Sequence, residues 1–194
     1  MMNLQTDLLS ERANLLADMR LGYIRHQMVR IEDNAQDFTL VNQHGNLVNL
    51  FDRLDNGSIV LAFINGSETI EDQTTLCELG KLHSSIDALN ASLLVIAPHS
   101  KALDQHRFQC AQINTDILHD VGNNVAYQYG LIPEPVFSTK ENYEDFANDH
   151  WTSNKPGPVT TIYAIQPNRR IAFSYAKTGN EFELNTQELL ATLS

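Results

Sequence analysis

The sharpest feature of the chain is a change of hydrophobic period near its centre. Ile59 to Ile64 is an unbroken apolar run, Ile-Val-Leu-Ala-Phe-Ile, as in a strand buried on both faces. Gly66 follows. From about Thr69 the leucines recur at Leu76, Leu79 and Leu82, a helical step that continues to about Leu89-Asn90. Before this unit, Thr6 to Ile31 reads as a long helix, with Leu8, Leu9, Leu15, Leu16, Met19, Tyr23 and Ile24 set between Glu11, Arg12, Asp18 and Arg25. Asp37 to Leu40 and Asn46 to Leu50 are two short strands around the turn residues Gln43-His44-Gly45-Asn46, a hairpin pattern. Asp52 to Gly57 reads as a polar connector.

After the central helix, Ala91 to Ala97 predicts a second buried strand, stopped by Pro98. Lys101 to Gln112 reads as a helix, Asp116 to Leu118 as a short strand, and Val121 to Tyr129 as a short helix closed by Gly130. Val159 to Ile165 and Ile171 to Tyr175 form a second hairpin around Pro167-Asn168, and Thr186 to Leu193 a closing helix. Pro133 to Pro156 follows no period, and its length marks a functional loop or an insertion. Alternating strands and helices predict an α/β fold, a mixed sheet flanked by helices, in which the last hairpin adds antiparallel strands to a parallel core. The expected division is an N-terminal helical extension over 1–34 and one domain over 35–194. The extension has two available uses, an extra helix packed on the domain or the arm of a homodimer.

Composition narrows the function classes. Of the 194 residues, 42% are apolar and 19% charged, an ordinary globular balance. Acidic residues outnumber basic ones by 24 to 13, and a net charge of −11 argues against nucleic acid and anionic membranes as partners. No apolar run approaches the roughly 18 residues of a membrane span. The N-terminus lacks a basic-then-apolar leader pattern, so a cytoplasmic location is expected. Two cysteines are too few for a disulfide framework or a structural zinc site. The seven histidines have no metal-ligand spacing, and no glycine-rich phosphate loop is present, so neither metal nor cofactor is expected.

One stretch has a layout open to anion or thiol chemistry. A buried strand, a glycine turn and a helix N-terminus build a place to hold an anion or a thiolate, and Cys77 lies on that helix. Four further segments carry a resemblance. Asp37-Phe38-Thr39-Leu40 with Gly45 and Leu50, then Leu61-Ala62-Phe63-Ile64-Asn65-Gly66, then Asp120-Val121-Gly122-Asn123-Asn124-Val125-Ala126 with Tyr129-Gly130-Leu131, and Pro158-Val159-Thr160-Thr161-Ile162-Tyr163-Ala164-Ile165 occur in order. Together they resemble the thioredoxin-like fold in its peroxiredoxin version, in the alkyl hydroperoxide reductase and thiol-specific antioxidant family. The likeness covers most of 35–193. It implies an antioxidant oxidoreductase that takes a small-molecule hydroperoxide and a dithiol reductant and needs no cofactor. In such proteins a peroxidatic cysteine in the first turn of the helix becomes a sulfenic acid, then a disulfide that an external dithiol reduces.

The resemblance can be laid on the helix in two registers. Matching Glu78-Leu79 and Leu82 to the family's Glu-Leu-x-x-Leu puts Thr75 and Asp72 where the two cysteines of its Cys-Pro-Tyr-Cys segment stand. Cys77 then falls two residues late, about 200° round the helix. Matching Thr74-Thr75-Leu76-Cys77 to the family's Thr-x-x-Cys instead makes Cys77 the nucleophile and Thr74 its orienting hydroxyl, with about five inserted residues. The candidate catalytic positions are therefore Cys77, Thr74, Thr75 and Asp72. In the first register Cys77 is a structural thiol and the chain a catalytically inactive binding or interaction module. In the second it is a thiol peroxidase. Cys110 reads as a core thiol, or a resolving one only within disulfide reach of Cys77. Thr160 stands where the family carries the second proline of Pro-Val-Pro, and Gln166 where it carries an acid.

Overall fold

A computed structural model describes residues 27–65, 70–98, 115–132, 158–177 and 184–193, with the side chains of 70–73 excepted. The helix expected over Lys101 to Gln112, the segment Pro133 to Pro156 and most of the N-terminal helix lie outside the described residues. So does Cys110.

Seven strands form one sheet: β1 (Thr39–Asn42), β2 (Leu47–Asn49), β3 (Ile59–Phe63), β4 (Ser92–Ala97), β5 (Asp116–His119), β6 (Thr161–Ile165) and β7 (Ile171–Ala176). Their order across the sheet is β2-β1-β5-β4-β3-β6-β7. β3, β4 and β5 run parallel, β6 is antiparallel to β3, and β1 is antiparallel to β5. The β1–β2 and β6–β7 hairpins close the two edges. This is the predicted mixed sheet with a parallel core.

β3 sits inside because its sequence allows nothing else. All five of its residues are buried, and alternate residues serve opposite faces. Ile59, Leu61 and Phe63 join one apolar core with Leu94, Ile96, Tyr129 and Tyr163. Val60, Ala62 and Ile64 join the other with Leu76, Leu79, Ile86, Val95 and Ile162. A strand with polar alternation would leave one of these layers without a floor.

Four helices flank the sheet among the described residues: α1 (Leu50–Leu54), α2 (Ile70–Ala88), α3 (Asn124–Gln128) and α4 (Thr186–Ala191). α2 confirms the predicted central helix. α1 corrects the polar connector. Asn49 caps it by accepting from the Asp52 N–H at 2.9 Å, and Leu50 and Leu54 are fully buried. Two apolar residues four apart were enough to bury one side of a short helix whose other residues are polar.

The N-terminal helix was expected to reach Ile31, but only Gln27 is helical at its described end. The next residues turn, with Glu32 at φ 74°, and three backbone bonds tie them to the domain. Val29 N–H donates to Tyr129 C=O, Glu32 N–H to Ile171 C=O, and Ile171 N–H to Asp33 C=O. Met28 and Val29 are buried in the core that contains Tyr129. The helix expected from Val121 starts later, at Asn124, because residues 121–123 form a turn with Asn123 at φ 60°.

Candidate functional site

The described residues bring β3 to Asn65 and resume at Ile70, the first residue of α2. α2 thus starts beyond the carboxyl end of the central strand, the usual side for ligands in an open α/β sheet. Its buried side carries Thr75 and Leu76 at 1% exposure, with Leu79 and Ile86 fully buried. These positions repeat at three- and four-residue steps, so one stripe of the helix lies on the sheet.

Cys77 is two residues past Thr75 and therefore on another side of the helix. It is a free, exposed cysteine. Thr74 is exposed as well. Asp72 lies in the first turn of α2, and its side chain is outside the described residues. The structure therefore separates the sequence candidates: Thr75 faces the protein interior, while Thr74 and Cys77 face out. Cys77 is the eighth residue of α2, about 10 Å along the axis from its start.

The charge near Cys77 comes from the next turn. Lys81 Nζ lies 2.6 Å from Glu78 Oε1. The Lys81 ammonium is held above its usual pKa, first by this hydrogen bond and the Glu78 charge, and least by the Cys77 sulfur one turn earlier. The pair is exposed and serves as local electrostatics rather than as stability.

An aromatic cluster supports the end of β3. The Phe63 ring centroid is 5.1 Å from that of Tyr129 and 6.3 Å from that of Tyr163, and the two tyrosine rings are 5.7 Å apart. Tyr129 O–H donates to Gln36 C=O at 2.8 Å. Burial pushes both phenols well above the usual tyrosine range. Asp120 is 1% exposed and accepts from the N–H groups of Val125 (3.2 Å) and Ala126 (2.9 Å), tying the end of β5 to the start of α3. In the sequence, Asp120 stood out only as part of the segment carrying the resemblance, and this task was missed. Thr160, at the position of the family's proline, is buried at 7% exposure beside the start of β6, and its C=O accepts from Lys177 N–H.

A mixed sheet whose central parallel strand feeds a thiol-bearing helix, with hairpins closing both edges, defines a thioredoxin-type, peroxiredoxin-like protein. The AhpC/TSA family profile matches residues 31–174, and the chain belongs to that family. No curated protein sequence matches the chain. Among solved structures it is similar to the peroxidoxin BcpB of Mycobacterium tuberculosis, with 20% identity and TM-score 0.67, over 85% of this chain and 96% of that one. It is also similar to the yeast mitochondrial 1-Cys peroxiredoxin, with 20% identity and TM-score 0.64, over 84% of this chain and 74% of that one. A third similar structure is Xylella fastidiosa PrxQ, with 18% identity and TM-score 0.64, over 85% and 95% of the two chains. At these identities the structural likeness speaks for the fold.

Proposed function

We propose that the chain is a peroxiredoxin-like antioxidant oxidoreductase that reduces small hydroperoxides at the expense of a dithiol, with Cys77 as the reacting thiol. The observation that carries this reading is an exposed free cysteine on the helix that follows the central strand, in a member of the AhpC/TSA family. The Cys77 thiolate attacks the peroxide oxygen, the O–O bond breaks, and the alkoxide leaves as an alcohol after taking a proton. Sulfur is oxidised to the sulfenic acid. One thiol of the reductant displaces water from that sulfur, and its second thiol resolves the mixed disulfide and restores Cys77. Thr74, exposed three residues before Cys77, is the candidate orienting hydroxyl. Exposure gives a bulky dithiol access to the sulfur. A reducing compartment such as the cytoplasm suits a protein that works through a free thiol, and the N-terminal helical pattern suits a homodimer.

The test is peroxide consumption with dithiothreitol as reductant, comparing the natural chain with Cys77→Ser. The expected result is loss of turnover in the serine variant. Equal, near-background rates in both would overturn the reading and leave the non-catalytic module.

A further inference from the structure

The far end of α2 borders a cleft that the redox reading does not use. Ser92 and Asp116 open the parallel strands β4 and β5, so the cleft lies at the amino ends of these strands, opposite the start of α2. The β1–β2 turn supplies Gln43 and His44, α1 supplies Arg53, and the last turns of α2 supply His83 and Asp87. The cleft is open to solvent and has a volume of about 320 Å³. That is at the small end of ligand sites and suits a molecule the size of an amino acid or dipeptide.

One wall of the cleft is already engaged. Asp116 accepts from Asn42 Nδ2 at 2.8 Å on Oδ1 and from Arg53 Nη2 at 2.5 Å on Oδ2. Gln43 donates to Thr115 C=O at 2.9 Å and accepts from Ile117 N–H at 2.8 Å. The Thr115 hydroxyl donates to Leu93 C=O. These bonds fix the wall and give it no reason to collapse.

Arg53 and Asp87 line the space with capacity unused. His83 Nδ1 is buried and has no hydrogen-bond partner among the described residues, while its Nε2 lies 3.4 Å from Asp87 Oδ2. The Nδ1 nitrogen is closed to solvent, so His83 contributes a wall of the cleft rather than a bond. The Asp87 carboxylate is 57% exposed. The Arg53 side chain is 43% exposed and has more N–H groups than its Asp116 bond uses. The cleft carries Arg53 against Asp87 and Asp116, so it offers both signs of charge. A simple anion meets two carboxylates on a chain of net charge −11, and a simple cation meets the guanidinium. A molecule with both charges satisfies both sides.

We propose that this cleft binds a small zwitterion, an α-amino acid or dipeptide, with its carboxylate on Arg53 and its ammonium on Asp87. The site is independent of thiol chemistry: His83 is six residues beyond Cys77, about 9 Å along the helix.

Glycylglycine titrated into the full-length, nitrogen-15-labelled chain provides the test. N-acetylglycine lacks the ammonium and glycinamide lacks the carboxylate. The expected result is saturable amide shifts confined to residues 43–53, 83–93 and 115–117, with each control binding at least about tenfold more weakly. Asp87→Asn and Arg53→Gln change exposed side chains. Asp87→Asn should leave the rest of the spectrum in place, Arg53→Gln should also shift the amides around its partner Asp116, and each should weaken glycylglycine about tenfold. Absence of saturable shifts overturns the proposal. So does equal binding of N-acetylglycine, which marks a plain anion site, or undiminished binding by Asp87→Asn.

Discussion

Gly130→Ala is expected to unseat the segment that leads into the domain. Gly130 has φ +68°, and a Cβ there would stand 2.2 Å from the Gln27 carbonyl oxygen and 2.9 Å from the Met28 nitrogen. The obstructing atoms are backbone, so no side-chain rotation relieves the overlap. The left-handed conformation costs an alanine about 1 kcal/mol. Moving residues 27–29 aside also breaks the Val29 N–H to Tyr129 C=O bond, worth about 1 kcal/mol. It partly exposes Met28 and Val29, which now stand at 8% and 9% exposure, for another roughly 1–2 kcal/mol. The total is about 3–4 kcal/mol. Gly122→Ala isolates the first contribution. Gly122 has φ +95°, but the nearest atom to its Cβ is the Asn124 side chain at 3.7 Å, so about 1 kcal/mol is expected. Urea unfolding of both variants at matched m-values gives the comparison. Equal losses in the two variants would refute the close approach of Gln27 to Gly130.

Asp120→Ala removes two N–H acceptors from a buried position and should cost about 2–3 kcal/mol in urea unfolding, with faster amide exchange at Val125 and Ala126. Unchanged exchange there would contradict the capping role. Cys77→Ser, at an exposed helix position, should change stability by less than about 0.5 kcal/mol, so lost turnover would report chemistry and not unfolding. Tyr129 and Tyr163 have folded-state pKa values raised above the unfolded value of about 10. Their contribution to stability is therefore fully present below about pH 10 and declines as pH rises above it, because the unfolded chain then loses protons that the folded chain keeps. An alkaline absorbance titration should show two phenols that ionise only with unfolding, and their ionisation in the folded state would contradict the burial.

The sheet was legible in sequence wherever burial was two-sided. The run Ile59 to Ile64 could be satisfied only in a centre covered on both faces, and its companion Ala91 to Ala97 follows the same logic. α1 was not legible, because Asp52, Arg53 and Asp55 dominate its composition while Leu50 and Leu54 alone set its position. The turn before α3 was hidden for a related reason. Asp120 caps across a gap of five residues, and no local pattern distinguishes that from an ordinary turn acid. The orientation of Cys77 was not legible, because periodicity left its burial open and a free cysteine is commonly a small core residue, whereas the structure exposes it. Nor was the zwitterion cleft, because His44, Arg53, His83 and Asp116 come from four separate elements.

α2 then has two ends with different physics. A helix dipole acts within the first turn, and Cys77 lies two turns further along. Its nearest described cation, Lys81, is already hydrogen-bonded to Glu78. On the proposed reading, exposure gives peroxide and reductant access to Cys77, and Thr74 is the first oriented donor to test. Replacing Thr74 with valine keeps the β-branched shape and removes the hydroxyl. A fall in turnover with Cys77 still alkylated by iodoacetamide at the natural rate would locate the hydroxyl's effect in the peroxide step. A matching fall in both rates would place it on the thiol itself, and no change in either would remove Thr74 from the mechanism.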